Sequence, residues 1–227
     1  QKKDARSQTG LFLLEGPQGL KEALDRPRLI VELFATEDAF ARYSGLFARA
    51  ADARIQTQLV TDAVLAAMSD TSTPQGVLAV CEQLHVNLDQ VLEQKPRLIA
   101  LLANIRDPGN AGTVLRAADA AGADAVIFSA NSVDLYNPKV VRSTTGSLFH
   151  LPIVVDADLE ATIASLQAAG LQVFAADGGG VLITELEAGS LETPTVWVFG
   201  NEAWGFEQPT LDAVDRVVGL PLYGAAE

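Results

Sequence analysis

Residues 97–128 read RLIALLANIRDPGNAGTVLRAADAAGADAVIF. An apolar run at 98–103 leads into a polar, turn-rich loop at 104–110, and a helical pattern follows at 111–121. Gly122 then separates that helix from a second apolar run at 125–128. Strand, loop, helix and strand in this order build a parallel sheet, because parallel neighbours need a crossover and the helix supplies it. Pro108 and Gly109 break the chain ahead of the helix, and Asn110 is placed to cap it. Val114, Leu115, Ala118 and Ala121 form the apolar stripe. Arg116 lies off the stripe, near the helix start, where the dipole favours anions and gives a cation no advantage.

The alternation continues downstream. Strand patterns are expected at 150–155, 172–176, 195–199 and 217–222, with helices at 139–144, 159–169 and 207–214. Such an order predicts a parallel sheet covered on both faces. Upstream, strands at 11–14, 29–35, 55–60 and 77–81 alternate with helices at 17–24, 37–51 and 61–68. Thr36 and Thr61 are placed as N-caps of the last two. The expected division is an α/β domain at 1–84, a linker at 85–96 and a second α/β domain at 97–227.

Apolar residues make up 48% of the 227 and charged residues 20%, the balance of a globular protein with ample core. No apolar run reaches the ~18 residues of a membrane span, and no basic-plus-apolar leader opens the chain, so the expected compartment is the cytoplasm. A single cysteine, Cys81, excludes an intrachain disulfide and a cysteine-cluster metal site. His85 and His150 lack metal-ligand spacing, and no metal is expected.

The net charge of −13 argues against a partner held by bulk electrostatics. Its distribution is uneven. Residues 156–227 hold twelve carboxylates and one basic residue, Arg216, whereas residues 97–142 hold five basic against four acidic residues. A local basic face is therefore compatible with the composition.

Two further segments carry chemistry. Thr195–Phe199 runs into Gly200-Asn201-Glu202, and the apolar run at 217–222 contains Leu220-Pro221-Leu222. Asn110 with Arg116, then Gly200-Asn201-Glu202, then Leu220-Pro221-Leu222, in this order and spacing, resemble the three signature motifs of the SpoU-type 2′-O-ribose RNA methyltransferases of the knotted SPOUT superfamily. The resemblance covers about residues 95–227. The N-terminal α/β domain resembles the ribosomal-protein-like substrate-binding domain that precedes the catalytic domain in this family, with Thr73 to Gly76 in a loop on the substrate side.

The resemblance implies S-adenosylmethionine as methyl donor and an RNA substrate, ribosomal before transfer RNA, with a homodimer as the assembly. It implies catalytic roles for Asn110, Arg116 and Glu202, and cofactor contacts from Gly200, Asn201, Leu220 and Leu222. Lys139 and Arg142 resemble residues near the family's RNA entry and are expected to touch phosphate. The family's third motif continues with a Ser-Leu-Asn segment and a helix that threads the trefoil knot; the sequence stops at Glu227, before them.

Each site residue also has a plainer reading from the residues alone. Asn110 serves as a helix cap, Arg116 and Arg142 as surface cations, Glu202 as a solvated carboxylate, and Leu220 and Leu222 as core. Gly178 to Gly180 reads as a phosphate cradle or a hairpin-like loop. A nicotinamide enzyme needs G-x-G-x-x-G after the first strand of its sheet. The loop at 104–112 lacks that spacing.

Overall fold

The computed structural model describes residues 3–221, 223 and 224. The chain forms two compact units: residues 1–84 with 134–150, and residues 85–133 with 151–227.

The first unit begins with α1 (Lys3–Thr9), β1 (Leu11–Glu15), α2 (Pro17–Ala23) and β2 (Ile30–Ala35). It continues through α3 (Glu37–Arg42), α4 (Ser44–Asp52), β3 (Thr57–Leu59), α5 (Asp62–Met68) and β4 (Val77–Glu82). The sheet order is β1-β4-β2-β3, with β4 antiparallel to both neighbours and β2 parallel to β3. Thr36 and Thr61 cap as expected, each accepting a backbone N–H at 3.3 Å, from Ala39 and Val64. The single helix expected at 37–51 is two, because Tyr43 leaves the helical region at φ −108° and ψ 33°. The poor helix formers Ser44 and Gly45 follow it.

Residues 134–150 belong to this unit rather than to the sheet whose sequence they interrupt. The reason is a set of specific partners. Buried Arg6 pairs with Asp134, the Leu84 N–H donates to the Tyr136 hydroxyl at 2.9 Å, and Phe12 packs on Tyr136 and Phe149.

The second unit opens with α6 (Leu88–Glu93) in the segment read as a linker, followed by β5 (Leu98–Leu102), α7 (Pro108–Ala120) and β6 (Ala125–Ser129). α8 (Pro138–Ser143) lies in the interruption and packs on β1 of the first unit. Then come β7 (Ile153–Ala157), α9 (Leu159–Ala168), β8 (Gln172–Leu182), β9 (Thr195–Phe199), α10 (Gln208–Ala213) and β10 (Arg216–Gly219). All strands are parallel, in the order β10-β8-β9-β5-β6-β7.

Side chains alternate across this sheet as strand geometry requires. Ile99, Leu101, Val196 and Val198 join a core with Val91 of α6 and Leu159, Ile163 and Leu166 of α9. Leu98, Ala100, Trp197 and Phe199 line the opposite side beside α7, where a groove of about 300 Å³ stays open along Val114 and Ala121. The α7 stripe is therefore only half covered: Leu115 and Ala118 are buried, Val114 partly so, and Ala121 is exposed. The triple glycine lies inside β8, at a register shift where β10 pairing jumps from Ala175 to Val181.

Candidate active site

After β5 the chain passes to β6 and β7 on one side, and then returns to β8 on the other, with β9 beside β5. The order therefore switches between β5 and β9. In open α/β sheets the crevice outside the carboxyl ends of such strands takes ligands. The loop that leaves β9 carries Gly200-Asn201-Glu202, and the loop that leaves β5 leads into the first turn of α7, which holds Asn110.

These two loops are tied by side chains. Glu202 accepts from the backbone N–H groups of Arg106 (3.4 Å) and Asp107 (3.2 Å) and from the side-chain amide of Asn110 (3.3 Å). Asn201, which is buried, donates its amide to the Asn104 carbonyl at 2.7 Å and accepts the Ala203 N–H at 2.9 Å. The Asn201 and Gly205 backbones exchange hydrogen bonds of 2.8 and 2.9 Å, closing the loop into a tight turn. Gly200 permits this approach: a Cβ there would sit 2.7 Å from the Gly205 carbonyl oxygen.

The electrostatics of Glu202 follow from the same contacts. Burial opposes its charged form. The N–H groups of Glu202 itself, Asp107 and Arg106, with the Asn110 amide, outweigh that and hold the carboxyl below its ordinary value. The carboxylate is thus committed to hydrogen bonds at its own loop junction.

Asn110 is not the helix cap. α7 starts at Pro108, and Asp107 is the N-cap, accepting the Asn110 N–H at 2.8 Å. The Asn110 side chain is thereby released to meet Glu202. Arg116 sits in the third turn of α7, exposed, its side chain making no hydrogen bond or ion pair to a described residue. The structure brings Asn110, Asn201 and Glu202 together and leaves Arg116 unengaged. The cap went unforeseen because Asp, Asn and the intervening Pro-Gly all carry start signals, and Pro at the first helical position settles the register.

Leu220 follows β10 and is 65% exposed, so its reading as core is not met. Leu222 lies outside the described residues. Exposed Leu220 offers apolar surface and the loop at 200–205 offers backbone polar groups, a donor set that suits a nucleoside-bearing methyl donor. In the first unit Lys139 is exposed, whereas Arg142 is ion-paired with Asp70 (2.9 Å) and Glu15 (3.5 Å).

An open parallel sheet with a glycine-bearing loop at its switch point is an architecture shared by many α/β enzymes. Comparison with known proteins makes this specific. Residues 97–227 match the SpoU rRNA methylase family, and residues 13–86 match the RNA 2′-O ribose methyltransferase substrate-binding domain. The chain is 33% identical, over 99% of its length and 85% of the relative's, to the 23S rRNA (guanosine(2553)-2′-O)-methyltransferase of Bacillus subtilis. An rRNA methyltransferase from Sinorhizobium meliloti, solved with S-adenosylmethionine bound, superposes with a TM-score of 0.83 at 29% identity, over 100% of this chain and 84% of that one. The SpoU methyltransferase AviRb from Streptomyces viridochromogenes, in complex with the same cofactor, gives 0.82 at 26% identity, over 100% and 87%. The chain belongs to the SpoU rRNA methylase family, the RNA 2′-O-ribose methyltransferases that use S-adenosylmethionine.

Proposed function

We propose that this chain methylates the 2′-oxygen of a ribose in ribosomal RNA, with transfer RNA as the second substrate class, and that it acts in the cytoplasm as a homodimer. The observation that carries the reading is the Glu202 carboxylate joining the β5 and β9 loops at the switch point, with Asn110 held between them.

Bound S-adenosylmethionine supplies a methyl carbon activated by its sulfonium. The chain must hold a poor nucleophile, the ribose hydroxyl, in line with that carbon. Glu202 fixes the Asn110 amide by its nitrogen, which leaves the amide oxygen to accept from the ribose hydroxyl. Arg116 keeps its full donor set, because no described residue occupies it. A guanidinium does not deprotonate readily in proteins, so Arg116 is no general base. It grips the adjacent phosphate and stabilises the negative charge that develops on the ribose oxygen as the hydroxyl proton passes to water. Gly200, Asn201, Leu220 and Leu222 hold the adenosine part of the donor, and exposed Lys139 meets the RNA backbone.

The test is transfer of label from methyl-labelled S-adenosylmethionine to ribosomal RNA. Label in the RNA that vanishes with Arg116→Ala is expected. Absence of transfer to any cellular RNA would overturn the reading.

A further inference from the structure

The loop after β9 has a neck and a tip. Asn201 and Gly205 exchange backbone hydrogen bonds at the neck, so the chain turns back within Glu202, Ala203 and Trp204. All three tip residues are exposed. The tip is also fixed in place. The Asn201 side chain donates to the Asn104 carbonyl and accepts the Ala203 N–H, while Glu202 accepts from the loop after β5. Trp204 therefore displays its indole from a rigid turn, two residues from the clasp.

The chain has two tryptophans, and their surroundings differ. Trp197 is partly buried in β9 and meets Phe174 edge-on, with ring centroids 5.6 Å apart. Trp204 is 53% exposed, and no described residue stacks on its ring or accepts its N–H. A large flat ring held out to water at a ligand-binding edge offers its face to another ring. Charge decides which force must hold that partner. Arg106 is offset by its neighbour Asp107, and Glu202 with Asp177, which lies beside Gly205, outnumbers Arg116. Attraction of phosphate adds little beyond the Arg116 contact, so stacking must supply the grip.

We propose that the Trp204 indole stacks on an unstacked base of the RNA, beside the ribose to be methylated, without selecting which base. The inference rests on the RNA methyltransferase reading and adds a base-stacking platform to it. Every base has a π-face, so such a platform tolerates any sequence, whereas a base inside a duplex has both faces covered. The role therefore requires single-stranded or splayed RNA at the site. Gly200 and Asn201, at the neck, are assigned to the methyl donor, and Trp204 at the tip is separate from them.

The experiment follows the tryptophan emission of the intact chain as octauridylate is added, with affinity read from the anisotropy of labelled octauridylate and octacytidylate. Octauridylate should quench the wild-type emission, and Trp204→Phe should abolish that change. Trp204→Ala should weaken both octamers about tenfold with an unchanged salt slope, and Trp204→Phe, which keeps a ring, should stay within about threefold of the wild type. The exposed side chain makes both variants safe for folding, which thermal melting checks. Affinity for S-adenosylmethionine, by calorimetry, should not change. No octauridylate binding by the wild type, or unchanged octamer affinity in Trp204→Ala, would overturn the proposal. A loss confined to one octamer would make the indole a base-reading group, and a shallower salt slope would make the effect one of phosphate; either would overturn it. Weakened S-adenosylmethionine binding would place the indole on the methyl donor, and a smaller species in sedimentation would place it between copies of the chain; both outcomes overturn it too. Stacking without any methyl transfer would support the platform and refute the enzymatic reading. Methyl transfer without stacking would do the reverse.

Discussion

Glu202→Ala removes the clasp between the β5 and β9 loops, and its consequence can be worked from three contacts. Two backbone N–H groups and the Asn110 amide lose their acceptor, at 3.4, 3.2 and 3.3 Å. Hydrogen bonds to a charged group contribute about 1.5–3 kcal/mol each at short range. These are long and Glu202 is exposed, so about 0.5 kcal/mol each is the appropriate scale, or roughly 1–2 kcal/mol together. For a chain of this size that lowers the melting temperature by about 2–8 °C. Turnover should fall further, about a hundredfold, because misplacement of a positioned group by about 1 Å costs that much. The assay pairs thermal melting with single-turnover methyl transfer for Glu202→Ala, Asn110→Ala and the double variant. If Glu202 acts through Asn110, the double variant should be little worse than the worse single one. The clasp also predicts a pH dependence. A carboxyl held below its ordinary value stabilises the fold at neutral pH, and that contribution disappears as pH falls through the depressed folded-state value. Glu202→Ala should therefore converge with the wild type in strong acid. Strictly additive kinetic losses, or an unchanged melting temperature at neutral pH, would refute the clasp.

Arg116→Ala should lower turnover by about two orders of magnitude while cofactor affinity and melting temperature hold, because the side chain is exposed and unpaired. Arg116→Lys should rescue poorly, since an ammonium cannot reproduce a planar bidentate contact; near wild-type rates in either variant return Arg116 to a surface cation. Gly200→Ala puts a Cβ 2.7 Å from the Gly205 carbonyl oxygen, so it should weaken S-adenosylmethionine binding about tenfold by calorimetry and destabilise by about 1–3 kcal/mol. Unaltered binding would remove the loop from the cofactor site. Burial pushes the Cys81 thiol up to about 12, so it should resist a thiol reagent in the native state and react only on unfolding.

Periodicity made most of this fold legible. The run at 97–128 was long and regular enough to define β5, α7 and β6, and Thr36 and Thr61 announced their helices through capping chemistry. Long-range partners set what local pattern could not. Residues 134–150 read as one more crossover, yet the Arg6–Asp134 pair and the Phe12 stack draw them into the first unit. Tyr136 and Phe149 carried no local sign of a partner more than a hundred residues away. At the site, the motifs identified Asn110, Asn201 and Glu202, which meet in space. Their division of labour depends on the register of α7, which Asp107 and Pro108 fix. Arg142 illustrates the converse. In sequence it is a lone cation, and only the fold brings Glu15 and Asp70 to neutralise it.

The central claim is methylation of a ribose oxygen, and the position of the label tests it most directly. Ribosomal RNA labelled by this chain from methyl-labelled S-adenosylmethionine is hydrolysed in alkali, which cleaves beside every free 2′-hydroxyl. A 2′-O-methylated nucleotide resists that cleavage. The account predicts that the label emerges in alkali-stable dinucleotides, as a methyl on the 2′-oxygen. Label recovered in mononucleotides, carried on a base, would contradict it.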